Sequence, residues 1–129
     1  TMDKLTHLEQ FATQWLNAWT GNNPDGLLAF YADNAVYADP AKRDGIKGKE
    51  LIKPYFEKLL AANPLWQWTL IELMPTQKGF TLKWKAQIPI NEKILTETGL
   101  DIVEIQDGLI TRNEVWFDRS RWMQMLQAK

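Results

Sequence analysis

Asp101 is the side chain whose position is hardest to explain without chemistry. Around it Leu95, Val103 and Ile105 share one parity of an extended segment, while Glu104 and Gln106 take the other. Successive side chains of a strand face opposite sides, so a carboxylate in phase with Val103 and Ile105 points inward. Poor hydration there favours the neutral acid and raises its pKa unless a cation pairs with it. A protein can obtain a proton donor near neutral pH in this way. The structural alternatives are a bulge at Asp101 or pairing with a buried base such as Arg112, and the residues alone leave the two sides level.

Asp39 is the second candidate, in the run Ala38-Asp39-Pro40. Proline confines its predecessor to extended backbone and so fixes where the Asp39 side chain points. A carboxylate fixed at a pocket mouth can serve as a general base. An aspartate before proline more often accepts from nearby backbone N–H groups in a turn. Arg112 and Glu114 share a parity with Ile110 and Trp116. They form either an internal ion pair lining a cavity or part of a solvent face, and parity does not say which.

Other chemistries are excluded by absence. The sequence has no cysteine and one histidine, His7, so thiolate metal sites, a cysteine nucleophile and any site needing two imidazoles are ruled out. No phosphate-cradling glycine loop, nucleophilic serine motif or metal-ligand cluster is present. No metal and no cofactor are therefore expected. A net charge of -1 provides no positive field to gather nucleic acid or anionic lipid, so neither is expected as a partner. Thr1 to Gln10 contains no apolar signal region and no run is long enough for a membrane span. A cytoplasmic location is the expectation.

The elements that must position these residues are legible from periodicity. The 129 residues suit one domain, and 45% hydrophobic with 24% charged residues is the balance of a globular chain. Seven tryptophans hint at a cavity wall or a dimer face, because an indole buries much area yet needs a partner for its N–H. Leu5, Leu8, Phe11, Ala12, Trp15, Leu16 and Trp19 recur at helical spacing. Thr6 with Glu9 forms a capping box in competition with Asp3 as N-cap, and Gly21 ends the helix. Asn23-Pro24 starts a second helix carrying Leu27, Leu28, Phe30 and Tyr31. Ala35 to Asp39 reads as a short strand, and Ala41 to Lys47 as a polar, turn-rich connection. Gly48 to Ala62 forms a third helix with Leu51, Ile52, Tyr55, Phe56, Leu59 and Leu60 inward and Pro54 as a kink.

From Leu65 the period becomes two. Trp66, Trp68 and Leu70 alternate with polar residues, as do Phe80, Leu82, Trp84, Ala86 and Ile88. Further strands run from about Ile94 to Gln106 and from Leu109 to Phe117, joined by the Asp107-Gly108 turn. Arg121 to Gln127 reads as a last helical turn or a loose end. The class is α+β, with helices on one face of a bent sheet and a cavity where they leave the concave side uncovered.

Several stretches resemble the NTF2-like superfamily, in particular its SnoaL-like and ketosteroid-isomerase-like branch. They are Trp15-Leu16-Asn17-Ala18-Trp19, the run from Leu28 to Pro40, the Lys47-Gly48-Lys49 helix start, and Asp107-Gly108-Leu109-Ile110 leading to Trp116-Phe117-Asp118. The resemblance implies a cone-shaped fold, with three N-terminal helices on a strongly curved mixed or antiparallel sheet enclosing a pocket. It implies that Asp39 stands where ketosteroid isomerase has its catalytic base. Asp101 is similar to that family's protonated aspartate, which donates a hydrogen bond to the developing oxyanion. The third group there is a tyrosine on the first helix; this chain has Trp15, which argues against steroid isomerisation.

The expected function is binding of a small apolar molecule, with cofactor-free isomerase, cyclase or dehydratase chemistry by paired aspartates as the enzymatic form. Trp15, Tyr37, Trp84, Arg112, Glu114 and Trp116 are the expected substrate-binding residues. A non-catalytic ligand-binding module and a dimeric association domain are the alternatives. Relatives commonly pair through the sheet, so a homodimer is expected.

Overall fold

The computed structural model describes residues 3–128. Thr1, Met2 and Lys129 lie outside the described residues. The first helix, α1 (Lys4–Asn17), is capped by Asp3, whose Oδ1 accepts from the Thr6 N–H at 2.8 Å, so Asp3 wins over the Thr6–Glu9 box. Its apolar stripe buries Ala12, Trp15 and Leu16. The second helix, α2 (Pro24–Leu28), has proline at its start and Asn23 as N-cap. It stops before Tyr31. That residue, expected on the helix, instead opens strand β1 (Tyr31–Asp39), because the chain pairs there with the neighbourhood of Ile110. The Ile110 N–H donates to the Phe30 carbonyl at 2.8 Å and fixes the switch.

Lys42 to Lys47, expected as a turn-rich connection, forms strand β2 (Lys42–Lys47) against β1. It lies at one edge of the sheet and is largely exposed, so no alternation of apolar residues announces it. Helix α3 (Lys49–Ala62) follows and buries Ile52, Phe56 and Leu60. Pro54 lies on its exposed side without ending it, and Leu51, expected inward, is 63% exposed.

Strands β3 (Gln67–Pro75), β4 (Gly79–Ile90), β5 (Lys93–Gln106) and β6 (Leu109–Trp116) complete the sheet, and helix α4 (Ser120–Gln127) closes the described chain. The spatial order is β2-β1-β6-β5-β4-β3. All neighbours are antiparallel except β1 and β6, which run parallel, so the curved sheet is mixed. Helix α1 packs on β3, and α3 on β1 and β2. Between them Trp15, Phe56, Phe80, Leu82 and Trp84 are almost wholly removed from water. Full burial stabilises by about 1.5–3 kcal/mol for each of Phe56, Phe80 and Leu82.

Two local features of the sheet position the site. Gly99 on β5 pairs with Trp84 on β4, and a Cβ added at Gly99 would stand 2.4 Å from Trp84 Cζ2. The missing side chain is the space in which the Trp84 indole lies. Between β5 and β6, Ile105 pairs with Ile110 but Glu104 pairs with Arg112, leaving Thr111 as an extra residue. Such a bulge reverses the inward parity of the strand beyond it. Among the described residues no helix is long and apolar enough to cross a membrane.

Candidate functional site

The concave side of the sheet holds a cavity of about 350 Å3 between β1, β3, β4, β5 and β6 and the helices α1, α3 and α4. Its walls are mostly aromatic: Trp19, Trp66, Trp68 and Trp84, with Phe117 and Trp122 toward α4. Polar and charged groups are few among the lining residues. They are chiefly Asp101 at the sheet, Tyr37, Asp39 and Tyr55 on the β1–α3 side, and Arg119 before α4. A small, largely apolar cavity with a few convergent polar groups is the usual form of a small-molecule site.

Asp101 pairs across the sheet with Leu82 on β4 and Val115 on β6, and its inward parity leaves it 3% exposed. Trp84 Nε1 donates to its Oδ1 at 2.7 Å, and Asn113 Nδ2 donates to its Oδ2 at 2.9 Å. Burial pushes the Asp101 carboxyl up to about 7, the negative charge of Asp39 adding to the rise and the two N–H donors opposing it. Neither a bulge at Asp101 nor a pairing with Arg112 accounts for this carboxyl: its partners are neutral N–H groups.

Asp39 lies in the same cavity and also holds a turn. Its Oδ1 accepts from the backbone N–H groups of Ala41 and Lys42, both at 2.9 Å. Its Oδ2 accepts from the hydroxyls of Tyr37 at 2.8 Å and Tyr55 at 2.7 Å. Tyr37 is two residues back on the same face of β1, and Tyr55 comes across from α3. Burial, reinforced by the adjacent carboxylate, raises the pKa of both phenols above the ordinary tyrosine value, so they remain protonated donors at working pH. Pro40 and Ala41 join Asp39 in the cavity wall.

Four residues expected at the wall stand elsewhere. Trp15 is fully buried and donates to Tyr31 Oη at 3.2 Å, so it lies behind the site; Trp19, four residues on, lines the cavity in its place. Arg112, Glu114 and Trp116 are on the opposite face of the sheet. Arg112 Nε donates to Glu114 Oε2 at 2.7 Å and its Nη1 to Glu104 Oε2 at 3.0 Å. Trp116 is 46% exposed, and the Arg43 guanidinium lies 5.7 Å from its ring centre. The physical reason is the extra residue at Thr111: Ile110 points in, Arg112 and Glu114 point out, and Asn113 and Val115 return to the cavity side.

The residues that sequence reasoning missed had weak signals. Asn113 is hidden by the same bulge, although an asparagine two before Val115 on a buried strand marks a polar group in the core. Tyr31 continues the helical spacing of Leu27 and Leu28, and Tyr55 has the spacing of an ordinary inward residue of α3. Trp68 lines the cavity, and its Nε1 is a buried polar atom with no hydrogen-bond partner among the described residues. Its ring stands edge-on to Trp84, with centroids 4.7 Å apart.

A bent mixed sheet with helices on its concave side, closing over a cavity, is an NTF2-like fold. The structure matches solved structures of that class. A family model of the SnoaL-like domain matches residues 12–113, and the chain belongs to that family. A protein of ketosteroid-isomerase-like fold from Catenulispora acidiphila, in complex with trimethylamine, has 19% identity and a TM-score of 0.79, with 92% of each chain covered. A Jannaschia protein described as a SnoaL-like polyketide cyclase has 9% identity and a TM-score of 0.80, covering 100% of this chain and 98% of that one. TerC co-crystallised with polyporic acid has 13% identity and a TM-score of 0.77, covering 92% and 97%. At such identities the likeness speaks for the fold. No curated protein matches the sequence.

Proposed function

We propose that the cavity binds a small, largely apolar molecule by an oxygen acceptor at Asp101, and that the protein catalyses cofactor-free proton transfer on it. Asp39 takes a proton from a carbon next to the carbonyl. Asp101, still protonated, donates a hydrogen bond to the carbonyl oxygen as negative charge gathers there. The proton held by Asp39 returns to another carbon in an isomerisation. In a cyclisation the same enolate forms a carbon–carbon bond to a second carbonyl, whose oxygen takes the proton held by Asp39; in a dehydration it expels hydroxide, which leaves as water with that proton. The observation that carries this reading is Asp101 itself, a buried carboxyl lining an aromatic cavity that also contains Asp39. A protein described as a polyketide cyclase shares the fold, so this class of chemistry is compatible with the architecture.

The four hydrogen bonds to Asp39 favour a second reading, a non-catalytic binder. Two carboxylate oxygens offer about four lone-pair sites, and the two N–H groups and two hydroxyls engage them all. A base there must first shed a donor. Tyr55, part-buried on α3, is freer to leave than Tyr37.

Exchange of the α-hydrogens of 2-indanone in D2O, followed by NMR, separates the two. The catalytic reading expects wild type to accelerate exchange, and Asp39→Asn to lower the acceleration by about a hundredfold or more while tryptophan quenching by the ketone persists. Quenching without any acceleration by wild type would leave a binder. Absence of both would leave an association domain. Homodimerisation through the sheet belongs to the same proposal, since the outer face presents exposed Leu100 and Trp116 as register neighbours. A monomer by sedimentation at micromolar concentration would remove it.

A further inference from the structure

Behind Asp101 a line of buried side chains runs away from the cavity, and no step of the proposed chemistry uses it. Trp15 Nε1 donates to Tyr31 Oη at 3.2 Å, Tyr31 Oη donates to Asn113 Oδ1 at 2.8 Å, and Asn113 Nδ2 donates to Asp101 Oδ2 at 2.9 Å. Trp15 and Asn113 are 0% exposed and Tyr31 is 1% exposed. At this depth a polar chain is tolerated when each member is satisfied, and a broken link is expensive.

The direction of the chain follows from the chemistry of its members. An indole N–H donates and cannot accept, so the Tyr31 oxygen accepts from Trp15 and its single proton goes to Asn113. That turns the Asn113 carbonyl toward Tyr31 and its NH2 toward Asp101. The Trp84 indole reaches the other Asp101 oxygen from β4, again as a donor. Both oxygens of Asp101 therefore face N–H groups, and among the described residues Asp101 makes no hydrogen bond to an acceptor. When it is protonated, its hydrogen has no protein oxygen to turn to.

We propose that Asn113, locked by Tyr31, is the positioning residue that aims the Asp101 proton into the cavity, making the site selective for molecules with an oxygen acceptor over their hydrocarbon counterparts. This rests on the reading of the cavity as a ligand site. Were the amide reversed, its carbonyl would accept the Asp101 proton and draw it into the core. Tyr31 prevents that reversal, because a reversed NH2 would meet a hydroxyl whose proton then lacks an acceptor.

The decisive variant is Tyr31→Phe, which frees Asn113 Oδ1 to turn toward Asp101. Two quantities are expected to move. The first is the binding ratio of 2-indanone to indane near pH 6, read by tryptophan quenching, which should fall about tenfold relative to wild type as the ligand loses its donor. The second is the pH midpoint of the Trp84 indole cross-peak in 1H–15N spectra, since that N–H bonds directly to Asp101. It should move upward, because the carboxylate loses a donor while the neutral acid gains an acceptor. Asp39 on β1, whose charge acts on Asp101, is unchanged, as are the other titratable groups lining the cavity, Tyr37, Tyr55 and Arg119.

Tyr31→Phe leaves the Trp15 N–H without its acceptor, so the double variant Trp15→Phe/Tyr31→Phe removes that donor as well and should show the same two changes. An unchanged ratio and midpoint in a folded variant, with wild type still favouring the ketone, would overturn the role of Asn113 alone. Wild type binding neither compound would remove the ligand site and the selectivity with it.

Discussion

The sheet end of the cavity and its mouth hold their two acids by different means. At the sheet, Asp101 is gripped by two N–H groups of neutral side chains from neighbouring strands, with Tyr31 and Trp15 packed behind. At the mouth, Asp39 is held by two backbone N–H groups of its own turn and by two tyrosine hydroxyls, one from another element. Two donors do not offset the burial of Asp101, which keeps its proton up to about pH 7. Loss of hydration thus outweighs hydrogen bonding at the sheet. On the proposed reading a ligand displaces a donor at the mouth, where Tyr55 is part-buried on a helix. The rigid end fixes a direction, and the open end leaves a group able to exchange.

The largest expected effect is on stability against pH. The folded-state pKa of Asp101 lies above its unfolded value of 3.8, so between about pH 4 and about pH 7 the folded state binds more protons. Its contribution is fully present below the unfolded pKa and is lost as pH rises through 7, a change on the order of 4 kcal/mol. Asp101→Asn should flatten this profile in urea denaturation measured from pH 4 to pH 8. A wild-type profile already flat in that window would erase the contrast between the two ends.

Gly99→Ala comes next. The new methyl would meet Trp84 at 2.4 Å and Phe117 Cβ at 2.8 Å, so the indole must move off Asp101. A loss of about 1–3 kcal/mol is expected, together with loss of the Trp84 indole titration. A stable variant whose indole still reports Asp101 would show that the sheet end is softer than its packing implies.

Helix α4 tests the mouth. None of its residues is buried, and Arg121 ties it to Glu97, which is 7% exposed, while Asn91 Nδ2 donates to the Met125 carbonyl at 3.0 Å. Arg121→Gln should cost about 1 kcal/mol. It should speed amide hydrogen exchange across residues 120–127 and leave β4 and β5 protected. Equal acceleration in the strands would mean that the mouth and the sheet open together.

The smallest expected effect is that of Tyr55→Phe. It removes one hydrogen bond to Asp39, worth about 0.5–1.5 kcal/mol. If the base must shed that donor, exchange of 2-indanone becomes faster in the variant. A slower exchange would assign Tyr55 a part in the reaction itself.

The inward direction of Asp101 was legible because β5 keeps strict alternation from Leu95 to Val103. The fixed placement of Asp39 was legible in the proline that follows it, and the turn and cavity readings, set against each other in the sequence, are both present. Arg112, Glu114 and Trp116 were misplaced because parity propagates along a strand until an extra residue breaks it, and Thr111 carries no mark of being that residue. The edge strand β2 escaped notice for the complementary reason. An exposed strand has no buried face to write a pattern into the sequence.

The order of the helices and of the apolar strands, the inward faces of α1, β4 and β5, and the membership of the family are local or periodic properties, and the chain by itself determined them. Which groups meet around each acid is not local. The Tyr31–Asn113 bond spans 82 positions and the Trp84–Asp101 bond 17. Hydrogen bonding depends on tenths of an ångström and on which way an amide or an indole is turned. Those quantities come into being when the curved sheet closes on its helices, and the tertiary structure alone decided them.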